Sequence, residues 1–303
     1  MTALSDARIW LTWTGMETDL IFNQGVDLPG FAAFPLVDSS DGRARLRDYY
    51  LKLIQIGREA RVGIILDTPT WMANPNRAKV VGYAASDLPR LNGAAVELAR
   101  DAALAHPDVA TRVSVQIGPR GDGYKPGIAA AETSARYHAP QVGAAREAGA
   151  DMVSAYTMGS AGEAIGISLA ARRSGTPALV SFTIETDGRL ADGTPLAAAV
   201  TQLVAAAESL AICVNCPHPD HIAKGLDGGA WQVSLAGIVA NASRQSQAEL
   251  DNAETLDDGD PGELADQLID FRHSLSGIRI LGGCCGTDLR HLREIARRVG
   301  GDG

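Results

Sequence analysis

The chain has 303 residues, 46% of them hydrophobic, 21% charged and 5% aromatic, the composition of a globular protein with a large core. A formal net charge of -9 argues against a protein that grips nucleic-acid phosphates, so no nucleic-acid partner is expected. Four cysteines are too few for a disulfide scaffold in a chain this long, and no apolar run is long enough to span a bilayer, so no membrane partner is expected either.

The opening stretch MTALSDARIWLTW lacks a basic segment followed by a long apolar run, so no secretory leader is read there and a cytoplasmic protein is expected. In chain order, apolar and β-rich runs at 7–13, 62–68, 112–118, 151–157, 178–184, 210–215, 232–240 and 277–283 read as strands. Helical runs lie between them, among them 43–60, 135–150, 162–175 and 288–299. Several end at a glycine, Gly149, Gly175 and Gly300, as helices often do. Strands apolar along nearly their whole length, each followed by a helix, predict a parallel sheet covered on both faces. About eight such units favour a closed barrel over an open doubly wound sheet. The expected fold is therefore α/β, a single (β/α)8 TIM barrel forming one domain over residues 1–303.

Two stretches depart from this rhythm. GPRGDGYKPG, 118–127, is a glycine-rich loop after the third strand, and 241–263 is a polar, acidic insertion after the seventh. Both fall at C-terminal strand ends, where barrel enzymes build their sites. The insertion reads either as a lid or as a solvated loop. The glycine-rich loop lacks the lysine and serine of a phosphate-binding loop.

The cysteines stand in two groups, Cys213 and Cys216 in AICVNCPHP and the adjacent Cys284 and Cys285 in RILGGCCGTD. In the barrel reading Cys216 follows the sixth strand and Cys284 and Cys285 follow the eighth, so all three reach one face. Neighbouring side chains of a regular strand point apart, and two adjacent thiols then cannot meet one ion. Gly282, Gly283 and Gly286 are expected to relieve this by adopting angles closed to other residues. Three thiolates suit Zn2+, with Zn–S near ~2.3 Å, and leave a fourth position open. A coordinated thiol is deprotonated, so the natural guest is a substrate thiol held as a nucleophile for a methyl carbon. The plainer reading of the pair is buried small hydrophobes. Cys213, on the strand itself, reads as packing. His218 and His221 follow Cys216 closely enough to offer metal ligands, but read better as a helix start on the surface. His106, His138, His273 and His291 read as solvated helix residues.

GGCCGTD after the last strand, with VNC after the sixth, resembles the homocysteine S-methyltransferases. The likeness extends to TGMETDL at 14–20, to 137–155, to 181–196 and to 237–251, and so covers most of the chain. It implies that Cys216, Cys284 and Cys285 hold zinc, and that a zinc-bound thiolate takes a methyl group, homocysteine giving methionine. The partners implied are a small-molecule thiol and a methyl donor, most simply a sulfonium. Substrate-binding positions implied or suggested are Glu17, Thr18, Tyr156 and Asn215. Two positions depart from the family. Trp13 stands where an aspartate is usual, and Tyr156 where a glutamate is usual; in the family those acids hold the ammonium of homocysteine. Losing a charge-assisted hydrogen bond costs about 1.5–3 kcal/mol. Glu17, Glu185 and Asp187 are the candidates to compensate, and the plainer reading of each is a solvated or structural carboxylate. The alternatives are a relative acting on another, less polar thiol, and a non-catalytic zinc- or thiol-binding protein. An oligomer is compatible with the sequence.

Overall fold

The computed structural model describes residues 4, 8–127 and 130–300; Ala7, at the start of the first expected strand, lies outside them. Eight parallel strands close on themselves: β1 Trp10–Leu11, β2 Gly63–Asp67, β3 Thr111–Ile117, β4 Met152–Met158, β5 Ala178–Phe182, β6 Ala211–Asn215, β7 Leu235–Ala240 and β8 Ile280–Gly283. Each pairs with its sequence neighbours, and β8 returns to β1 with Trp10 opposite Ile280 and Leu11 opposite Leu281. One main helix follows each strand: α1 Ser40–Ala60, α2 Leu88–Leu104, α3 Ala131–Glu147, α4 Ala161–Ser174, α5 Leu196–Ala206, α6 Pro219–Gly225, α7 Pro261–Ser274 and α8 Leu289–Gly300. The expected (β/α)8 barrel is the fold. Among the described residues no helix is long and apolar enough to cross a membrane.

Helix α1 illustrates how the outer layer forms. Ser39 accepts a hydrogen bond from the Gly42 N–H at 3.0 Å and caps its start. Leu46, Tyr50, Leu53, Ile54 and Gly57 recur at helical spacing and are buried. Each fully buried Leu or Ile contributes about 1.5–3 kcal/mol. Gly57 lets the helix ride close on β2, since a Cβ there would lie 2.7 Å from Ile64 Cδ1. Inside the barrel a second core gathers Trp10, Ile65, Met152, Leu179, Cys213 and Ile280. Cys213 is fully buried in it, as a packing residue would be.

Several boundaries differ from expectation. Only Trp10 and Leu11 of the run at 7–13 pair as a strand, because the chain after them leaves the ladder to form the first loop. The run at 232–240 begins as a 3-10 turn, Ala230–Ser234, and pairs only from Leu235. His138 and His291 are buried rather than solvated. His138 Nε2 lies 2.8 Å from Glu163 Oε1, and His291 Nε2 lies 2.8 Å from the Asp258 carbonyl oxygen. Both partners arrive from other elements, so helical periodicity alone does not reveal them. His218 does cap the start of α6, but it and His221 are buried, not on the surface.

Candidate functional site

Three chain segments meet at the C-terminal end of the barrel, and hydrogen bonds fix their spacing. The first loop is tied to the turn after β8 at several points: the Gly283 N–H donates to the Trp13 carbonyl at 3.0 Å, and the Gly15 N–H to Thr287 Oγ1 at 3.0 Å. Thr18 Oγ1 donates to the Gly15 carbonyl at 2.8 Å and accepts from the Gly286 N–H at 3.1 Å. Thr18, expected to meet substrate, thus has its hydroxyl committed to holding loop against loop. On the other side the Cys284 N–H donates to the Ala240 carbonyl at 2.7 Å and the Cys216 N–H to the Val239 carbonyl at 3.0 Å.

These ties bring Cys216, Cys284 and Cys285 together, their sulfurs all within 4.8 Å of one another. Cys216 and Cys284 stand as a sulfur pair with Cα atoms 5.3 Å apart, and Cys285 is free beside them. Tetrahedral thiolate ligands about one zinc lie roughly 3.8 Å apart, given Zn–S near ~2.3 Å, so the donor set fits one soft divalent ion once the pair is reduced. Burial pushes the Cys285 thiol up to about 12, with the Glu17 charge adding to the rise, so in the bare protein it stays neutral. A bound cation inverts that preference. His218 and His221 are not part of this cluster.

The glycine expectation is half right. Gly286 takes φ +77°, the left-handed region that favours glycine. Gly282 and Gly283 do not; they end β8, and what they provide is closeness. A Cβ on Gly282 would sit 2.7 Å from Thr12 Cγ2 and 2.9 Å from the Trp13 carbonyl oxygen, and one on Gly283 would collide with the Thr287 side chain. The turning of the thiols is shared with Cys216 itself, at φ 76°, and with Thr157 on β4, at φ 65°. Left-handed backbone at such residues costs on the order of 1–3 kcal/mol and persists where the surroundings enforce it. Asn215 is what joins them. Its Oδ1 accepts from the Thr157 N–H at 2.8 Å, and its Nδ2 donates to Thr157 Oγ1 at 3.0 Å and to Cys216 Sγ at 3.3 Å, with Cys284 Sγ at 4.0 Å. Asn215, expected to touch substrate, directs its amide at the sulfurs. Thr157 went unnoticed in the sequence, where a threonine gives no sign of a left-handed backbone.

Above the sulfurs opens a cavity of about 520 Å³, lined by Trp13, Glu17, Trp71, Tyr124 and Tyr156 among others. The hydroxyl of Tyr156 points away from the cavity into the barrel, 3.1 Å from Asp67 Oδ2 and 3.2 Å from Thr12 Oγ1, while Thr12 donates to the same carboxylate oxygen at 2.6 Å. Burial raises the Asp67 carboxyl to about 6, and its other oxygen has no hydrogen-bond partner. A lone acid closing the apolar run VGIILDT was the available sequence signal for this residue. Glu17 is buried in the cavity wall. Burial raises it to about 7, against the pull of a backbone hydrogen bond and one from the Trp13 side chain. Glu185 and Asp187, the other acids expected to compensate, do not line this cavity; Glu185 is partly exposed and Asp187 exposed.

The acidic insertion forms one side of the cavity through Gln247, Leu250, Asp251, Leu256 and Asp257. It is fastened at both ends. Ser243 donates to Asp257 at 2.6 Å, Arg244 pairs with Asp220 at 2.7 Å, and Arg290 pairs with Asp258 at 2.6 Å. These exposed ion pairs are individually weak, about 0–1 kcal/mol each, so the strap is held in place without being locked. Replacing residues 246–256 with a short glycine-serine linker should raise the KM for thiol or donor about tenfold or more and leave metal content unchanged. Unaltered KM values for both substrates would reduce the strap to a surface loop.

The family profile described as Homocysteine S-methyltransferase matches residues 15–299. The homocysteine S-methyltransferase of Escherichia coli K12 is 26% identical over 266 residues, covering 84% of each chain. The homocysteine S-methyltransferase YbgG of Bacillus subtilis 168 is 29% identical over 193 residues, 61% of this chain and 60% of its own. The metallated crystal form of the Escherichia coli homocysteine methyltransferase MmuM superposes with a TM-score of 0.75 at 23% identity, covering 97% of both chains, a likeness that speaks for the fold.

Proposed function

The chain belongs to the homocysteine S-methyltransferase family, and from that premise we propose that it moves a methyl group from a cationic, sulfonium-type donor to a metal-bound thiolate, homocysteine giving methionine. The observation that carries this reading is the convergence of three cysteine sulfurs, from the ends of β6 and β8, at the base of one cavity. Cys216, Cys284 and Cys285 would hold the ion, and zinc suits an all-sulfur donor set with a fourth position left for substrate. When bound there, zinc supplies an acceptor sulfur that is deprotonated at neutral pH yet electron-rich, because three anionic ligands leave it little Lewis acidity.

The chain's own residues do the remaining work. Asn215 donates to the Cys216 sulfur and holds it in its left-handed turn, which fixes one ligand direction. The aromatic faces of Trp13, Trp71 and Tyr124 offer a cationic methyl donor the attraction of their ring quadrupoles, about 0.5–2 kcal/mol for each good contact. The strap restricts water around the reacting atoms, which strengthens the electrostatics inside. A reducing, cytoplasmic setting suits chemistry that requires free thiols. We take residues 1–303 as one barrel domain carrying the whole site.

The test is direct. Reduced protein loaded with zinc should convert homocysteine and S-methylmethionine to methionine, with one donor consumed for each acceptor methylated. One zinc bound per chain, with no methyl transfer to homocysteine or to any of a panel of simple and aromatic thiols, would instead favour a non-catalytic metal- or thiol-binding protein.

A further inference from the structure

Trp13 and Tyr156 stand on the cavity wall above the sulfurs, and each has a carboxylate close by, Glu17 four residues on from Trp13 and Asp67 bonded to the Tyr156 hydroxyl. The two carboxylates differ in where they lie. Asp67 is behind Tyr156, inside the barrel and off the cavity wall. Glu17 is on the wall, 8% exposed, four residues on from Trp13 in the first loop. Among the described residues Glu17 pairs with no lysine or arginine. Burying a carboxylate without a cation is costly, and the cost falls when a cation arrives.

The other acids on the cavity wall have neighbours that occupy them. Asp122 accepts from the Tyr124 N–H at 2.9 Å, and Asp251 from Gln247 at 2.7 Å. Asp257 accepts from Ser243 at 2.6 Å and from the Gly259 N–H at 3.3 Å. Glu17 is also held at a fixed place relative to the sulfurs. Its loop is bonded to the cysteine turn through Gly15, Thr18 and Trp13.

We propose that Glu17 is the specificity-determining anchor for the ammonium group of the acceptor, selecting an aminothiol over a simple thiol. The inference rests on the thiol methyltransferase reading above. It speaks against the alternative suggested by Trp13 and Tyr156, a relative acting on another, less polar thiol. The acid is displaced by four residues along the first loop rather than lost. The acceptor sulfur and its ammonium then have one partner each, the cysteine cluster and Glu17.

The experiment compares wild type with Glu17→Gln, both reduced and zinc-loaded, using homocysteine and 3-mercaptopropionate as acceptors at saturating S-methylmethionine. Glu17→Gln should raise the homocysteine KM about ten- to hundredfold, the range of a lost charge-assisted hydrogen bond. The KM for 3-mercaptopropionate should move less than threefold, and zinc content should not change. Calorimetric titration of homocysteine into the zinc-loaded protein, with no donor present, should show the same weakening. Glu17→Asp, which keeps the charge but draws it back by one methylene, should raise the homocysteine KM about three- to tenfold, several times more than it moves the KM for 3-mercaptopropionate; it carries the test if Glu17→Gln does not fold. Equal losses for both thiols, no loss for homocysteine, or a change confined to the KM of the donor would overturn the proposal. Failure of wild type to methylate either thiol would instead sink the thiol methyltransferase reading.

Discussion

Reduced Cys284→Ser protein should emerge from gel filtration with almost no zinc and no measurable methyl transfer, while Cys213→Ser keeps both. Zinc held by four cysteine or histidine ligands in a small peptide is worth about 10–16 kcal/mol at neutral pH. One thiolate is therefore worth roughly 2.5–4 kcal/mol, or about two to three orders of magnitude in affinity. Cys284 shares the cluster with Cys216 and Cys285, and its backbone is bonded to Ala240 on the neighbouring strand, so no other sulfur can take its place. Cys213 lies one strand turn deeper in the same chemistry-bearing stretch but is enclosed by the barrel core and takes no part in the cluster. A hydroxyl there costs stability, about 1–3 kcal/mol for an unsatisfied buried group, and should lower the melting temperature without releasing metal. Metal analysis and melting curves on the two variants separate the roles. Zinc kept by Cys284→Ser and lost by Cys213→Ser would reverse the assignment.

The barrel was legible because its signal is repeated. Eight apolar runs each followed by a helical run leave few other architectures, and an error of a few residues in one run, as at 7–13 or 232–240, does not alter the count. The convergence of the cysteines followed from the barrel, since residues after β6 and β8 share an end. What could not be read was how the turn is made. The glycines were expected to act through backbone freedom, yet only Gly286 does so, and Gly282 and Gly283 are small because Thr12, Trp13 and Thr287 crowd them. Those neighbours come from the far end of the chain or across a turn, and close approach leaves no periodicity. Cys216 and Thr157 adopt left-handed backbone although neither residue type favours it. The Asn215 amide bridging them compensates, and that bond exists only after β4 and β6 are placed in the sheet. Glu17 is a similar case. Sequence shows that an acid is missing at Trp13; only the fold shows that another is buried beside it.

Gly15→Ala should be the most damaging single-methyl change in the first loop, lowering stability by about 2–4 kcal/mol and weakening zinc binding at least tenfold, although Gly15 is not a ligand. The reason lies in what a Cβ there would meet. It would collide with the Cys284 carbonyl oxygen and lie 2.6 Å from Thr18 Oγ1 and 2.9 Å from the Thr287 carbonyl oxygen. None of these is the free end of a flexible side chain. The Cys284 carbonyl already accepts from the Thr287 N–H at 3.1 Å and from Thr287 Oγ1 at 2.7 Å, and Thr18 Oγ1 bridges Gly15 and Gly286. The methyl group must therefore push the first loop away from the cysteine turn. Overpacking of this kind costs about 1–3 kcal/mol, and each net hydrogen bond broken adds about 0.5–1.5 kcal/mol. The displaced atoms include the backbone of a ligand, so the loss reaches the metal. Gly143→Ala is the fitting control. It lies in α3 with nothing within 4 Å of its Cβ position, so alanine should stabilise the helix by up to about 1 kcal/mol and leave zinc affinity untouched. Competition against a zinc chelator, run beside melting curves, distinguishes the outcomes. A drop in melting temperature with zinc affinity within twofold of wild type would mean that the loop contact supports the fold without positioning the cysteines. The bonds joining Gly15, Thr18 and Trp13 to the cysteine turn would then have no part in shaping the metal centre.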